Sequence, residues 1–126
     1  MILLDTSVLV GAFTGTRHWE PALTGTIERG ERLSLCAPVL YEWRRGPRTE
    51  PELATQEGLF PSDSAWPFGP TEAHLAADLY RRRRRSRQRH VDFAIAACAL
   101  SRGAALWTLN PRDFADIPDL ALFDPA

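Results

Sequence analysis

Residues 1–10 read MILLDTSVLV, and the fold follows from how this stretch divides. Met1 to Leu4 form a short, continuously apolar run. Asp5, Thr6 and Ser7 then supply the residue types that open helices, ahead of a second apolar segment. A buried strand running straight into a helix fits this order. A strand that is apolar at every position is covered on both faces, which is the habit of parallel sheets.

The same alternation continues along the chain. Residues 19–30 (WEPALTGTIERG) predict a weak helix ended by Gly30. Leu33 to Ala37 is a second short apolar run and a predicted strand. Pro38 opens a helix, since proline suits a first turn; it carries Tyr41, Glu42 and Trp43 and stops near Gly46-Pro47. Residues 47–70 are rich in Pro, Ser and Gly, with a short helix over 51–58 and an extended piece at 65–68. Helices are predicted from Thr71 to about Arg85 and from Val91 to Arg102, the latter ended by Gly103. Ala104 to Thr108 predicts a strand, Pro111 to Ala115 a helical turn, and Leu120 to Phe123 a last strand. Strands alternating with helices predict an α/β fold with a central parallel sheet covered on both faces. In such folds ligands gather at the carboxyl ends of the strands. Asp5 ends the first strand; Asn110 and Asp113 follow a late one.

Bulk composition narrows the function. The 126 residues, 44% hydrophobic and 25% charged, suit one folded domain over 1–126. All 15 basic residues are Arg, which excludes mechanisms that need a lysine. Cys36 and Cys98 lie in apolar surroundings and are expected as reduced, buried thiols, too few and too scattered for a zinc site. The start of the chain has neither a basic leader nor a long apolar stretch, so a cytoplasmic protein without a membrane span is expected.

The acids carry the chemistry. Hard cations such as Mg²⁺ take oxygen ligands, often a few carboxylates with water. Asp5 stands rigidly at a strand end, although an aspartate there can also serve as a plain helix cap. Glu42 sits among Val39, Leu40 and Trp43, and it can answer either a metal or Arg44 or Arg45. Asp92 opens a helix, where the dipole favours an anion in any case; Ala96 and Ala99 on its face would allow a close approach to the first strand. Asn110 and Asp113 can cap their own turn. Each signal alone has a structural reading, so the weight lies on their order as a set.

Four blocks, LLDTSVLV, VLYEWRRG, VDFAIAACAL and TLNPRDF, resemble in order and spacing the signature blocks of PIN domains, closest to the VapC-type toxins of toxin–antitoxin modules. The resemblance implies a three-layer α/β/α fold and an Mg²⁺- or Mn²⁺-dependent endoribonuclease that hydrolyses RNA phosphodiesters. It also implies a cognate antitoxin and a homodimer. It places metal-binding acids at Asp5, Glu42 and Asp92, with the fourth position divided between Asn110 and Asp113. The catalytic set would then be Asp5, Glu42, Asp92 and Asp113. Thr6 and Thr108 match hydroxyl positions that help to hold the site and its substrate.

Seven of the arginines fall between Arg81 and Arg89. They can be a solvated helix end or a phosphate-gripping lip. The run stops just before Asp92, so Arg82, Arg85 and Arg89 are expected to touch substrate, with Arg112 as a second contact. Rival doubly wound phosphoryl-transfer proteins fit poorly. A receiver domain needs a lysine, and a haloacid-dehalogenase-like phosphatase needs an aspartate where Ser7 stands. A non-catalytic binding module of the same fold, or a PIN nuclease of RNA processing, are the alternatives.

Overall fold

The computed structural model describes residues 1–15, 19–83 and 87–125, with only the backbone of Arg87. Three parallel strands form the sheet: β1 (Ile2–Leu4), β2 (Leu33–Ser34) and β3 (Ala105–Trp107), in the order β2-β1-β3. Ile2 faces Leu33 and Ala105 across its two neighbours, and Leu4 faces Trp107. Ile2, Leu3 and Leu4 are all buried. Successive strand residues point to opposite faces, so both faces of the sheet are covered, as the apolar run predicts.

The predicted strands are longer than those observed. The run at 33–37 pairs regularly only at its start, and Cys36 then meets Trp66 in a single parallel bridge. The backbone of Trp66 donates to Leu35 and accepts from Ala37. The extended piece at 65–68 is therefore a one-residue edge. The last predicted strand likewise reduces to a bridge between Leu106 and Leu122.

The helices are α1 (Thr6–Phe13), α2 (Glu20–Glu28), α3 (Ala37–Arg45), α4 (Glu50–Leu59), α5 (Pro70–Arg82) and α6 (His90–Ser101). Proline sits in the first turn of α2, α3, α4 and α5, where a missing N–H costs nothing. Thr49 and Glu52 close a reciprocal cap on α4. Helix α6 buries Phe93, Ile95, Ala96, Ala97, Cys98 and Ala99, so it is enclosed on nearly every side. It packs on α5, α3 and β3. Its end turns at Gly103, whose φ of 62° suits glycine.

Helix α5 stops at Arg82, and Arg83 is already extended, short of the predicted end at Arg85. Consecutive arginines repel at helical spacing. Among the described residues Asp78 bonds Arg81 at 3.2 Å and Arg82 at 3.1 Å. The two cysteines, far apart in sequence, are both buried and free. The N-cap of α3 brings Cys36 against Cys98 of α6, and burial pushes the Cys36 thiol up.

Candidate functional site

Parallel strands end side by side. Asp5 donates its backbone N–H to Trp107 O at 2.9 Å, which sets the carboxylate of Asp5 beside the hydroxyl of Thr108. Both residues are buried. Thr108 Oγ1 donates to Asp5 Oδ2 at 2.7 Å, and Ser7 Oγ donates to the same oxygen at 2.8 Å. Each hydroxyl is in turn fixed by a backbone donor: Leu109 N–H reaches Ser7 Oγ and Asn110 N–H reaches Thr108 Oγ1, both at 3.0 Å. Asp5 occupies the N-cap position of α1, yet its side chain makes no capping hydrogen bond. The plain cap reading therefore fails. The carboxylate is turned toward β3, held through Oδ2, with Oδ1 outside these bonds.

Glu42 reaches the same end of the sheet from α3. Thr6 Oγ1 donates to Glu42 Oε1 at 2.7 Å, and Arg45 lies 3.6 Å from Oε2. The pairing with Arg45 is real, but it is not the whole environment of Glu42. Arg44 turns away, to Gln56 at 2.9 Å.

Asp92 lies in the first turn of α6 and is partly buried. Burial and then the negative charges of Asp5, Asp113 and Glu42 push its carboxyl up to about 7, with Arg89 opposing. Carboxylates from three other segments thus act on Asp92. Asp113, though exposed on the 3₁₀ turn Pro111–Phe114, is among them. Asn110 is also exposed and its side chain caps nothing. The fourth acid whose charge reaches Asp92 is therefore Asp113.

The arginines divide. Arg89 grips Asp116 with two bonds, at 2.9 and 2.5 Å, and donates to the carbonyl of Asp113 at 3.2 Å. Its guanidinium also lies over the Phe93 ring. It is a brace between the start of α6 and the 3₁₀ turn, and it holds the Asp116 carboxyl below its usual range. Arg82 is tied to Asp78 on the exposed side of α5. Arg112 is exposed. Arg85 lies outside the described residues.

Two participants were not anticipated. Ser7 joins Asp5 to the backbone after β3, and a hydroxyl two residues beyond a strand-end aspartate is the signal that marks it. Asp116 fixes Arg89, and nothing local in the sequence announces that contact.

The donor set suits a hard cation: every candidate ligand is an oxygen, and several negative charges meet with little to neutralise them. Among the described residues no three acids, histidines or cysteines stand close enough to form a cage on their own.

Residues 2–120 match the family described as PIN domain. Over 123 residues the chain is 35% identical to Ribonuclease VapC19 of Mycobacterium tuberculosis, covering 95% of this chain and 97% of that one. A toxin–antitoxin complex from Klebsiella pneumoniae contains a chain of the same fold, with a TM-score of 0.73 at 23% identity, covering 100% of this chain and 98% of that one. VapBC-5 of Mycobacterium tuberculosis gives a TM-score of 0.59 at 27% identity, covering 94% and 91%. The chain belongs to the PIN-domain family and is of the VapC type.

Proposed function

We propose that this protein is a divalent-metal-dependent endoribonuclease and the toxin of a toxin–antitoxin pair, acting as one domain over 1–126 in the cytoplasm. The observation that carries the reading is Asp5 at the carboxyl end of β1, buried and held by two hydroxyls, with Asp92 pushed up by burial and by the charges of Asp5, Asp113 and Glu42. Clustered like charges are costly without a counter-ion. The 35% identity to a ribonuclease over nearly the whole chain supports the same activity.

Asp5 and Asp92 would hold the Mg²⁺ or Mn²⁺, with Glu42 and Asp113 completing its charge environment and Asn110 beside them. When bound, such an ion lowers the pKa of a coordinated water and stabilises charge on a phosphate. Ser7 and Thr108 orient Asp5, because their bonds to Oδ2 leave Oδ1 for ligation. Thr6 orients Glu42 in the same manner. Arg89 holds the start of α6 against the 3₁₀ turn, which fixes Asp92 relative to Asp113.

The partner reading rests on a second surface. A groove of about 330 Å³ between α1, α2 and α4 is lined by Phe13, Leu23, Ile27 and Leu59, with Glu20 and Glu28 beside them. Ile27 and Leu59 are exposed. Such a groove suits an amphipathic helix with basic edges, and we assign it to the antitoxin. A homodimer is part of the same reading. The test of the activity is cleavage of RNA with Mn²⁺ against EDTA: metal-dependent cutting that Asp5→Asn and Asp92→Asn abolish supports it. An intact, antitoxin-free protein that cuts no RNA under either condition is instead a binding module.

A further inference from the structure

We infer that Arg45 and Arg48, at the end of α3, form a subsite for a backbone phosphate of the RNA next to the one being cleaved, with Gly46 as the seat of the Arg48 guanidinium.

This rests on the ribonuclease reading above and extends it to how substrate is held. A cleft of about 400 Å³ opens beside Glu42 and Thr6, and its remaining walls are Arg45, Gly46 and Arg48. It is therefore continuous with the acidic site, and it is lined on its far side by cations. An acidic site repels a polyanion unless positive charge lies within reach. Arginine is the side chain that best matches a phosphate, through parallel N–H donors.

Arg48 is positioned rather than merely present. Its guanidinium lies 4.3 Å from the centre of the Trp43 ring, and Trp43 is fully buried in the core. The guanidinium also lies close to Gly46: a Cβ at that residue would stand 2.8 Å from Nη2 and 2.9 Å from Cζ. Gly46 has φ −76° and ψ 172°, an extended backbone open to any residue. A methyl there would displace the Arg48 guanidinium rather than strain the backbone. The Arg48 Nε is buried without a hydrogen-bond partner, and Nη1 donates to the Pro47 carbonyl at 3.2 Å. No acid faces Arg48 in an ion pair among the described residues, whereas Arg82 and Arg89 are committed to Asp78 and Asp116. Arg45 lies over Tyr41, 5.3 Å from the ring centre, and reaches Glu42 at 3.6 Å. Arg45 lines the same cleft at its Glu42 end. Of the anticipated lip, Arg82 and Arg89 are engaged by Asp78 and Asp116 and Arg85 lies outside the described residues, so the proposal places the phosphate contact at the end of α3.

The experiment is binding of a short single-stranded RNA oligonucleotide to the cleavage-defective Asp5→Asn protein, followed by fluorescence anisotropy across a salt series. Each phosphate neutralised on a single strand contributes about 0.7 to the slope of log K against log salt. Arg48→Ala is expected to weaken binding about tenfold and to lower the slope by about 0.7. Gly46→Ala keeps every charge but displaces the guanidinium, so it should weaken binding several-fold with little change in slope. Arg32→Ala, exposed at the opposite end of the sheet, should bind as the parent does. Thermal melting of each variant confirms folding, and Gly46→Ala carries the test if Arg48→Ala proves unstable. Parental binding unchanged by both Arg48→Ala and Gly46→Ala overturns the subsite alone. A wild-type protein that cleaves no RNA, with a parent that binds none, overturns the ribonuclease reading and the subsite with it.

Discussion

Thr108 Oγ1 donates to Asp5 Oδ2 at 2.7 Å, joining residues 103 positions apart. This bond couples the ends of β1 and β3 to the carboxylate on which the site depends. Removing a donor to a buried carboxylate costs about 1.5–3 kcal/mol. Thr108→Val also leaves the Asn110 N–H without its acceptor. Chemical denaturation should show a loss in that range. Cleavage should fall about 10- to 100-fold, the usual effect of removing a group that orients a metal ligand.

The Asp92 carboxyl, pushed up to about 7 by burial and by the charges of Asp5, Asp113 and Glu42, sets a pH dependence in metal-free protein. A carboxyl raised in the folded state favours folding when protonated. Its contribution is complete below the ordinary carboxylate range and is lost as pH rises through about 7. In EDTA, the melting temperature should fall between pH 5 and pH 8, and Asp92→Asn should flatten that slope. An Asp92→Asn protein with the same pH slope as wild type would show that Asp92 is not the group responsible.

Arg89 and Asp116 form a two-bond pair across 27 positions, with Arg89 stacked on Phe93. Asp116 is half exposed, so screening limits the pair. Asp116→Asn should cost about 1 kcal/mol or less at moderate salt, with a larger relative loss in RNA cleavage because Asp92 and Asp113 lose their brace. Comparing denaturation midpoints with cleavage rates separates the two effects.

These contacts mark where local reading ends. The β1-to-α1 start and the α6 helix with its Gly103 stop are legible because apolar runs, small residues and glycine act over a few positions. The strands at 33–37 and 120–123 are shorter than their apolar character suggests, since pairing depends on what lies alongside. The order of acids along the chain points to Asp5, Glu42 and Asp92 and leaves the fourth place divided between Asn110 and Asp113. It left open whether Asp5 only caps α1, and that is decided by Ser7 and by Thr108, a hundred residues away. The seating of Arg48 on Gly46 and the grip of Asp116 on Arg89 are long-range or side-chain-specific facts that no spacing encodes.

The groove between α1, α2 and α4 gives a prediction separable from catalysis. Ile27→Asp with Leu59→Asp places charge on an exposed apolar surface whose lining does not include Asp5, Glu42, Asp92 or Asp113. The double variant should lose copurification with its antitoxin and retain RNA cleavage. Retained copurification would move the partner to another face.

In the proposed reading, oxygen ligands at Asp5 and Asp92 hold a divalent cation that RNA cleavage requires. The most direct measurement pairs Mn²⁺ binding, by electron paramagnetic resonance, with cleavage of single-stranded RNA by the same antitoxin-free samples. Wild type should bind Mn²⁺ and cut RNA, and EDTA should stop it. Asp5→Asn and Asp92→Asn should stay folded, bind Mn²⁺ weakly and cleave about 100-fold more slowly or worse. Cleavage that persists in EDTA, or that survives in folded Asp5→Asn, would contradict the claim.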